Sequence, residues 1–136
     1  MGVITLKKKE DGSPYKVLII DDSLFVVKQL TKMLEPQGVE IVAFAYDGEK
    51  GLEKYKALYP NIDLVFLDIK MPNSDGVETL KNILDFDKSA KILMISAYGC
   101  EDIIKKTLLI GAKDFITKPI KQDKIISKIQ QILSKK

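Results

Sequence analysis

The chain has 136 residues, 46% hydrophobic and 30% charged, with a net charge of +3, which is the size and balance of one globular domain with one core. It contains no histidine, so histidine-based triads and most zinc or haem sites are excluded. All 22 basic residues are lysine, so the guanidinium fork that reads guanine edges is missing, and direct nucleic-acid binding by this domain is not expected.

Residues 1–14 are polar, end in DGSP and are expected as a flexible N-terminal tail; their apolar residues precede the lysines and do not form a secretory signal. Lys16 to Ile20 is an apolar run without alternation, as in a strand buried on both faces. Asp22 or Ser23 can cap a helix through about Leu34, which Pro36 and Gly38 stop. VEIVAFA, 39–45, is a second strand, and Asp47 caps a helix with Leu52, Tyr55 and Tyr59 on one side. LVFL, 64–67, is the third strand, followed after DIKMPNSDG by a helix from about Val77 to Leu84. KILMIS, 91–96, is the fourth strand, and a helix from about Asp102 to Ile110 ends at Gly111. On that helix Ile103, Ile104 and Leu108 are expected in the core. DFIT, 114–117, is the fifth strand, and the last helix carries Ile125, Ile126, Ile129, Ile132 and Leu133 as an amphipathic stripe. The lone Cys100 excludes an internal disulfide, fits a reducing cytoplasm and reads as a partly buried small residue. No apolar run approaches the roughly 20 residues of a membrane helix, so no membrane association is expected.

Five strands, each followed by a helix, make a (βα)5 chain. Right-handed crossovers favour an α/β fold with an open, doubly wound parallel sheet covered by helices on both faces. Ligands in such sheets bind at the carboxyl ends of the strands. Asp21 and Asp22, Asp68, Ser96 and Lys118 fall at the ends of strands one, three, four and five, in the same phase. Three adjacent carboxylates raise one another's pKa or require a cation. Their all-oxygen chemistry selects Mg2+, or Mn2+, over zinc. With the Lys118 ammonium and the Ser96 hydroxyl beside it, one carboxylate is set up to accept a phosphoryl group. Each residue alone has an ordinary reading, as a helix cap, a turn acid or a solvated lysine; the conjunction points to chemistry.

The motifs LIIDDS, LVFLDIKMPNSDG, ILMISA and GAKDFITKPI together resemble the response-regulator receiver domain of two-component signalling, over about residues 15–134. The flavodoxin-like strand order 2-1-3-4-5 is that of the chemotaxis receivers and is taken from the resemblance, not from the pattern. The resemblance implies that Asp68 takes the phosphoryl group, and that Asp21, Asp22, Asp68 and the Lys70 backbone carbonyl hold the metal. Ser96 would hydrogen-bond the phosphoryl group, Lys118 would pair with it, and Lys118–Pro119 would be a cis peptide. Ser96 and the strand-five aromatic, here Phe115 where many relatives have Tyr, would form a switch. That switch would be read on the face of the fourth helix, fifth strand and fifth helix. Lys70 and Tyr98 would partly screen the phosphoryl group from water. The donor would be a sensor histidine kinase or a histidine phosphotransfer protein. The SAYG after strand four resembles the stand-alone chemotaxis receivers, whose output is docking to a flagellar-motor or relay protein. The alternatives are a receiver piece of a DNA-binding transcriptional regulator and a haloacid-dehalogenase-type phosphatase; the latter needs an acid where Lys70 stands.

Overall fold

The computed structural model describes residues 9–72 and 74–134. In chain order the elements are β1 (Lys16–Ile20), α1 (Leu24–Leu34), β2 (Glu40–Ala45), α2 (Gly48–Leu58) and β3 (Leu64–Asp68), then α3 (Gly76–Phe86), β4 (Ile92–Ser96), α4 (Glu101–Ile110), β5 (Asp114–Thr117) and α5 (Gln122–Leu133). The strands form one parallel sheet in the order β2-β1-β3-β4-β5, as the resemblance implied. Between β3 and α3 the chain adds a short antiparallel hairpin, Lys70–Met71 against Ser74–Asp75, that periodicity did not signal.

Alternation along the strands splits the core into two layers. Val17, Ile19, Phe66, Leu93 and Ile95 face α1 and α5, where Leu30, Ile125 and Ile129 meet them. Leu18, Ile20, Val65, Leu67 and Met94 face the opposite way, toward Leu80 and Ile83 of α3 and Ile104 of α4. Every residue of β3 and β4 is buried, which is why both strands read as unbroken apolar runs. β2 is an edge strand and correspondingly half exposed.

Several boundaries differ from the expected ones for local reasons. Ser23, not Asp22, caps α1, its Oγ accepting the Val26 N–H at 3.3 Å. One 3-10 turn, Glu35–Gln37, follows α1 before Gly38 turns the chain at φ 82°. Tyr59 lies just beyond α2 and is 47% exposed, since the Leu58–Asn61 turn lifts it away from the stripe. Leu108 was expected inside but is 38% exposed. Thr107 takes its place at the core, its hydroxyl satisfied by the Ile104 carbonyl at 2.7 Å.

Of the expected tail 1–14, residues 1–8 lie outside the described residues. Lys9 sits 2.7 Å from the Asp63 carboxylate, which also accepts the Lys16 N–H at 2.7 Å. Among the described residues no helix is long and apolar enough to cross a membrane.

Phe66 is fully buried at the centre of the sheet. Phe66→Ala is expected to lower stability by about 3–5 kcal/mol, read as a lower urea midpoint at unchanged m-value.

Candidate acidic site at the strand tips

The sheet delivers its polar residues at one end. β1 stops at Ile20, and the Asp21 N–H donates to the Ala45 carbonyl at 2.9 Å, extending β1 toward β2. Asp68 is the last residue of β3, opposite Ile95 of β4. Ser96 closes β4, and its carbonyl accepts the Lys118 N–H at 2.8 Å, which brings the end of β5 alongside. The Lys118–Pro119 peptide is cis, as is Tyr59–Pro60.

Asp21 and Asp68 are buried and Asp22 is exposed, yet one carboxylate oxygen from each lies within 4.8 Å of the others. Lys118 Nζ reaches Asp68 at 3.6 Å and Asp21 at 3.7 Å. One ammonium against three carboxylates leaves a net negative charge. Asp21 Oδ1 is used locally, accepting the Ser23 N–H at 2.9 Å. Asp21 Oδ2 is buried without a hydrogen-bond partner among the described residues; the Lys118 ammonium stands 3.7 Å from it, beyond hydrogen-bond reach. An orphaned buried oxygen is costly unless something positive satisfies it. The donor set contains only oxygen, so these residues fit a hard divalent cation.

Burial is the main cause that pushes the Asp68 carboxyl up to about 7; the Asp21 charge adds to it, and Lys118 opposes it. Burial likewise raises Asp21, against the Ser23 N–H and Lys118. Lys70 follows the acid closely: its N–H donates to Asp68 Oδ1 at 3.4 Å, while its side chain is exposed.

The Ser96 side chain is fully buried, and its hydroxyl donates to the Ala97 carbonyl at 2.8 Å, so it is engaged in the β4–α4 loop. Phe115 is half buried on β5 against the α4 side of the core. Lys128 of α5 stands 4.4 Å from its ring centroid, pairs with Asp114 at 3.1 Å and donates to the Phe115 carbonyl. Tyr98, expected beside the phosphoryl group, is 90% exposed, with its ring in solvent. The structure thus gathers Asp21, Asp22, Asp68 and Lys118, while Ser96 is buried at the end of β4, Lys70 follows Asp68 by two residues and Phe115 lies farther back on β5.

Sequence reading missed two glycines. A Cβ at Gly76 would lie 2.4 Å from the Asp68 carbonyl oxygen, so only glycine lets α3 start against the acid's own backbone. A Cβ at Gly48 would lie 1.9 Å from Thr79 Oγ1. The DG at Asp75–Gly76 was visible as a turn signal; the contact at Gly48 has no local signature.

The profile of the response regulator receiver domain matches residues 17–130. The chain belongs to the response-regulator receiver family. It is 48% identical over 126 residues to the chemotaxis protein CheY of Treponema pallidum, covering 93% of this chain and 88% of that one. It is 39% identical to the chemotaxis protein CheY of Bacillus subtilis, covering 88% of this chain and 98% of that one. Among solved structures, this receiver is similar to one in the crystal structure of the CheX–CheY–BeF3–Mg+2 complex from Borrelia burgdorferi, with a TM-score of 0.89, 48% identity and coverage of 93% and 94%.

The raised Asp68 value gives a pH dependence with a definite sign. Between the ordinary 3.8 and about 7, the folded receiver holds a proton that the unfolded chain has released. Stability therefore falls as pH rises through that window. In EDTA, the wild type is expected to lose about 2–3 kcal/mol from pH 5 to pH 8 relative to Asp68→Asn, whose amide does not titrate. Thermal unfolding of the two proteins at both pH values checks it.

Proposed function

We propose that Asp68 is the phosphoacceptor of this receiver. It takes a phosphoryl group from the phosphohistidine of a partner kinase or histidine phosphotransfer protein, with Mg2+, or Mn2+ in its place, held by Asp21, Asp22, Asp68 and the Lys70 carbonyl. The observation that carries this is the uncompensated charge: three carboxylates within 4.8 Å, one lysine and the orphaned Asp21 Oδ2. When bound, the cation offsets negative charge on the carboxylates and the phosphoryl oxygens. Asp68 must be ionised to attack, and loss of its proton near neutrality is what cation binding favours. The Asp68 oxygen forms the bond to phosphorus as the phosphorus–nitrogen bond of the donor breaks; the imidazole nitrogen keeps the electron pair and takes a proton from solvent. Lys118, within 3.7 Å of both buried acids, pairs with the incoming phosphoryl oxygens. With no histidine in the chain, the donor histidine belongs to a partner.

The switch follows from the same residues. Ser96 leaves the Ala97 carbonyl for a phosphoryl oxygen, and Phe115 moves into the space this opens, altering the face of α4, β5 and α5. Lys128 on the Phe115 ring and the exposed Leu109 on α4 place charge and apolar surface where that change would be read. The relatives named chemotaxis protein CheY support a chemotaxis receiver occupying about residues 15–134, docking on a flagellar-motor or relay protein in the cytoplasm. The Borrelia burgdorferi structure with CheX supports a CheX-like protein as a further partner.

Incubation with acetyl phosphate and Mg2+ is expected to add one phosphoryl group by intact mass. Asp68→Asn should show none, and Lys118→Ala should slow the reaction by about 100-fold. An adduct of undiminished yield in Asp68→Asn would place the acceptor elsewhere.

A further inference from the structure

The backbone that follows Asp68 is held at two points. On the inner side the Gly76 N–H donates to the Ile69 carbonyl at 3.0 Å, in the close approach that excludes any side chain at Gly76. On the outer side the hairpin pairs Lys70 with Asp75 and Met71 with Ser74, and it reaches across to another element. The Gly48 N–H, at the first position of α2, donates to Ser74 Oγ at 2.6 Å. The first N–H groups of a helix have no partner within it. Asp47 satisfies the Lys50 N–H at 2.7 Å, and Ser74, 26 residues along the chain, satisfies that of Gly48. Thr79 of α3 closes the junction beneath, its hydroxyl on the Asp75 carbonyl at 3.1 Å.

The opposite flank of the hairpin is open. A groove of about 530 Å3 separates Lys70, Met71 and Ser74 from Ile103 and Lys106 of α4. Lys70 lies between the Gly76 contact and the Ser74 contact, its N–H 3.4 Å from Asp68 Oδ1.

We infer that Ser74 is a positioning residue for the metal site: by accepting the Gly48 N–H it fastens to α2 the hairpin that carries the Lys70 carbonyl. This rests on the divalent-cation reading above and extends it to a residue outside the carboxylate cluster. A ligand on a loop contributes affinity in proportion to how little that loop must be ordered on binding. Removing the hydroxyl frees the hairpin to spread into the groove toward α4 and leaves the Gly48 N–H unpaired. The α1 end of the cluster, Asp21 and Asp22, is untouched.

The test is calorimetric titration of Mg2+ into the full chain as wild type, Ser74→Ala, Ser74→Thr and Asp21→Asn, with metal-free thermal unfolding of each. Wild type is expected to bind and Asp21→Asn to lose binding. Ser74→Ala should weaken Mg2+ by about three- to tenfold, while Ser74→Thr, which keeps the hydroxyl, stays within about twofold of wild type. The Mg2+ concentration for half-maximal phosphorylation by acetyl phosphate should rise in Ser74→Ala by the same factor, with the rate at saturating Mg2+ little changed. Ser74→Ala binding Mg2+ as tightly as wild type would overturn the inference. Equal weakening in Ser74→Ala and Ser74→Thr would overturn it too, because the loss would then come from packing and not from the hydroxyl. A wild type that binds no Mg2+ would overturn the metal reading itself, and the role of Ser74 with it.

Discussion

Three carboxylates drawn within 4.8 Å of one another by the ends of two neighbouring strands set the terms for the rest of this molecule. Like charges at that separation in a poorly solvated site repel strongly, and Lys118 offsets only part of the repulsion. The fold must therefore hold them together against their own electrostatics. Two proton-rich carboxyls, or a bound dication, are the ways to relieve it. Burial leans toward the first, raising the Asp21 and Asp68 carboxyls above the ordinary carboxylate range. The second would favour the ionised form of Asp68, so in the proposed reaction the same repulsion would link cation binding to reactivity.

What supplies the holding force is the sheet. β1 and β3 are adjacent and apolar from Val17 and Leu64 up to the residue before each acid, and each face is sealed by its own helical layer. The acids emerge where the sheet ends, so the low-dielectric interior lies behind them and water in front. β4 and β5 register so that the Ser96 carbonyl takes the Lys118 N–H, which fixes the backbone that carries the balancing ammonium. Below Asp68 the glycine at 76 lets α3 begin almost against the acid's backbone. The site is thus built where strands end and a helix begins.

The strands and the acid set were legible because each carries a local signature: unalternating apolar runs for β1, β3 and β4, with acids at the ends of the first two and Ser96 in phase at the third. The aspartate pair after LII and the lysine before Pro119 needed no tertiary information to be noticed. Other features depended on contacts distant in sequence. The hairpin at 70–75 is too short for any period, and the Ser74–Gly48 bond joins residues with no pattern in common. Thr107 displaced Leu108 from the core because its hydroxyl finds a carbonyl within its own helix, an exchange that a count of apolar residues cannot register. Lys128 over Phe115 joins α5 to β5 by a cation against a ring; Phe115 stood out as the switch aromatic, but nothing in the sequence tied Lys128 to it.

The direct test of the electrostatic account is a carbon-13 NMR titration of the Asp68 carboxyl, with EDTA and again with saturating Mg2+. The account predicts a midpoint near 7 without metal and an ionised carboxylate throughout the range from pH 5 upward when Mg2+ is present. A midpoint at the ordinary carboxylate value in EDTA, unmoved by Mg2+, would contradict it.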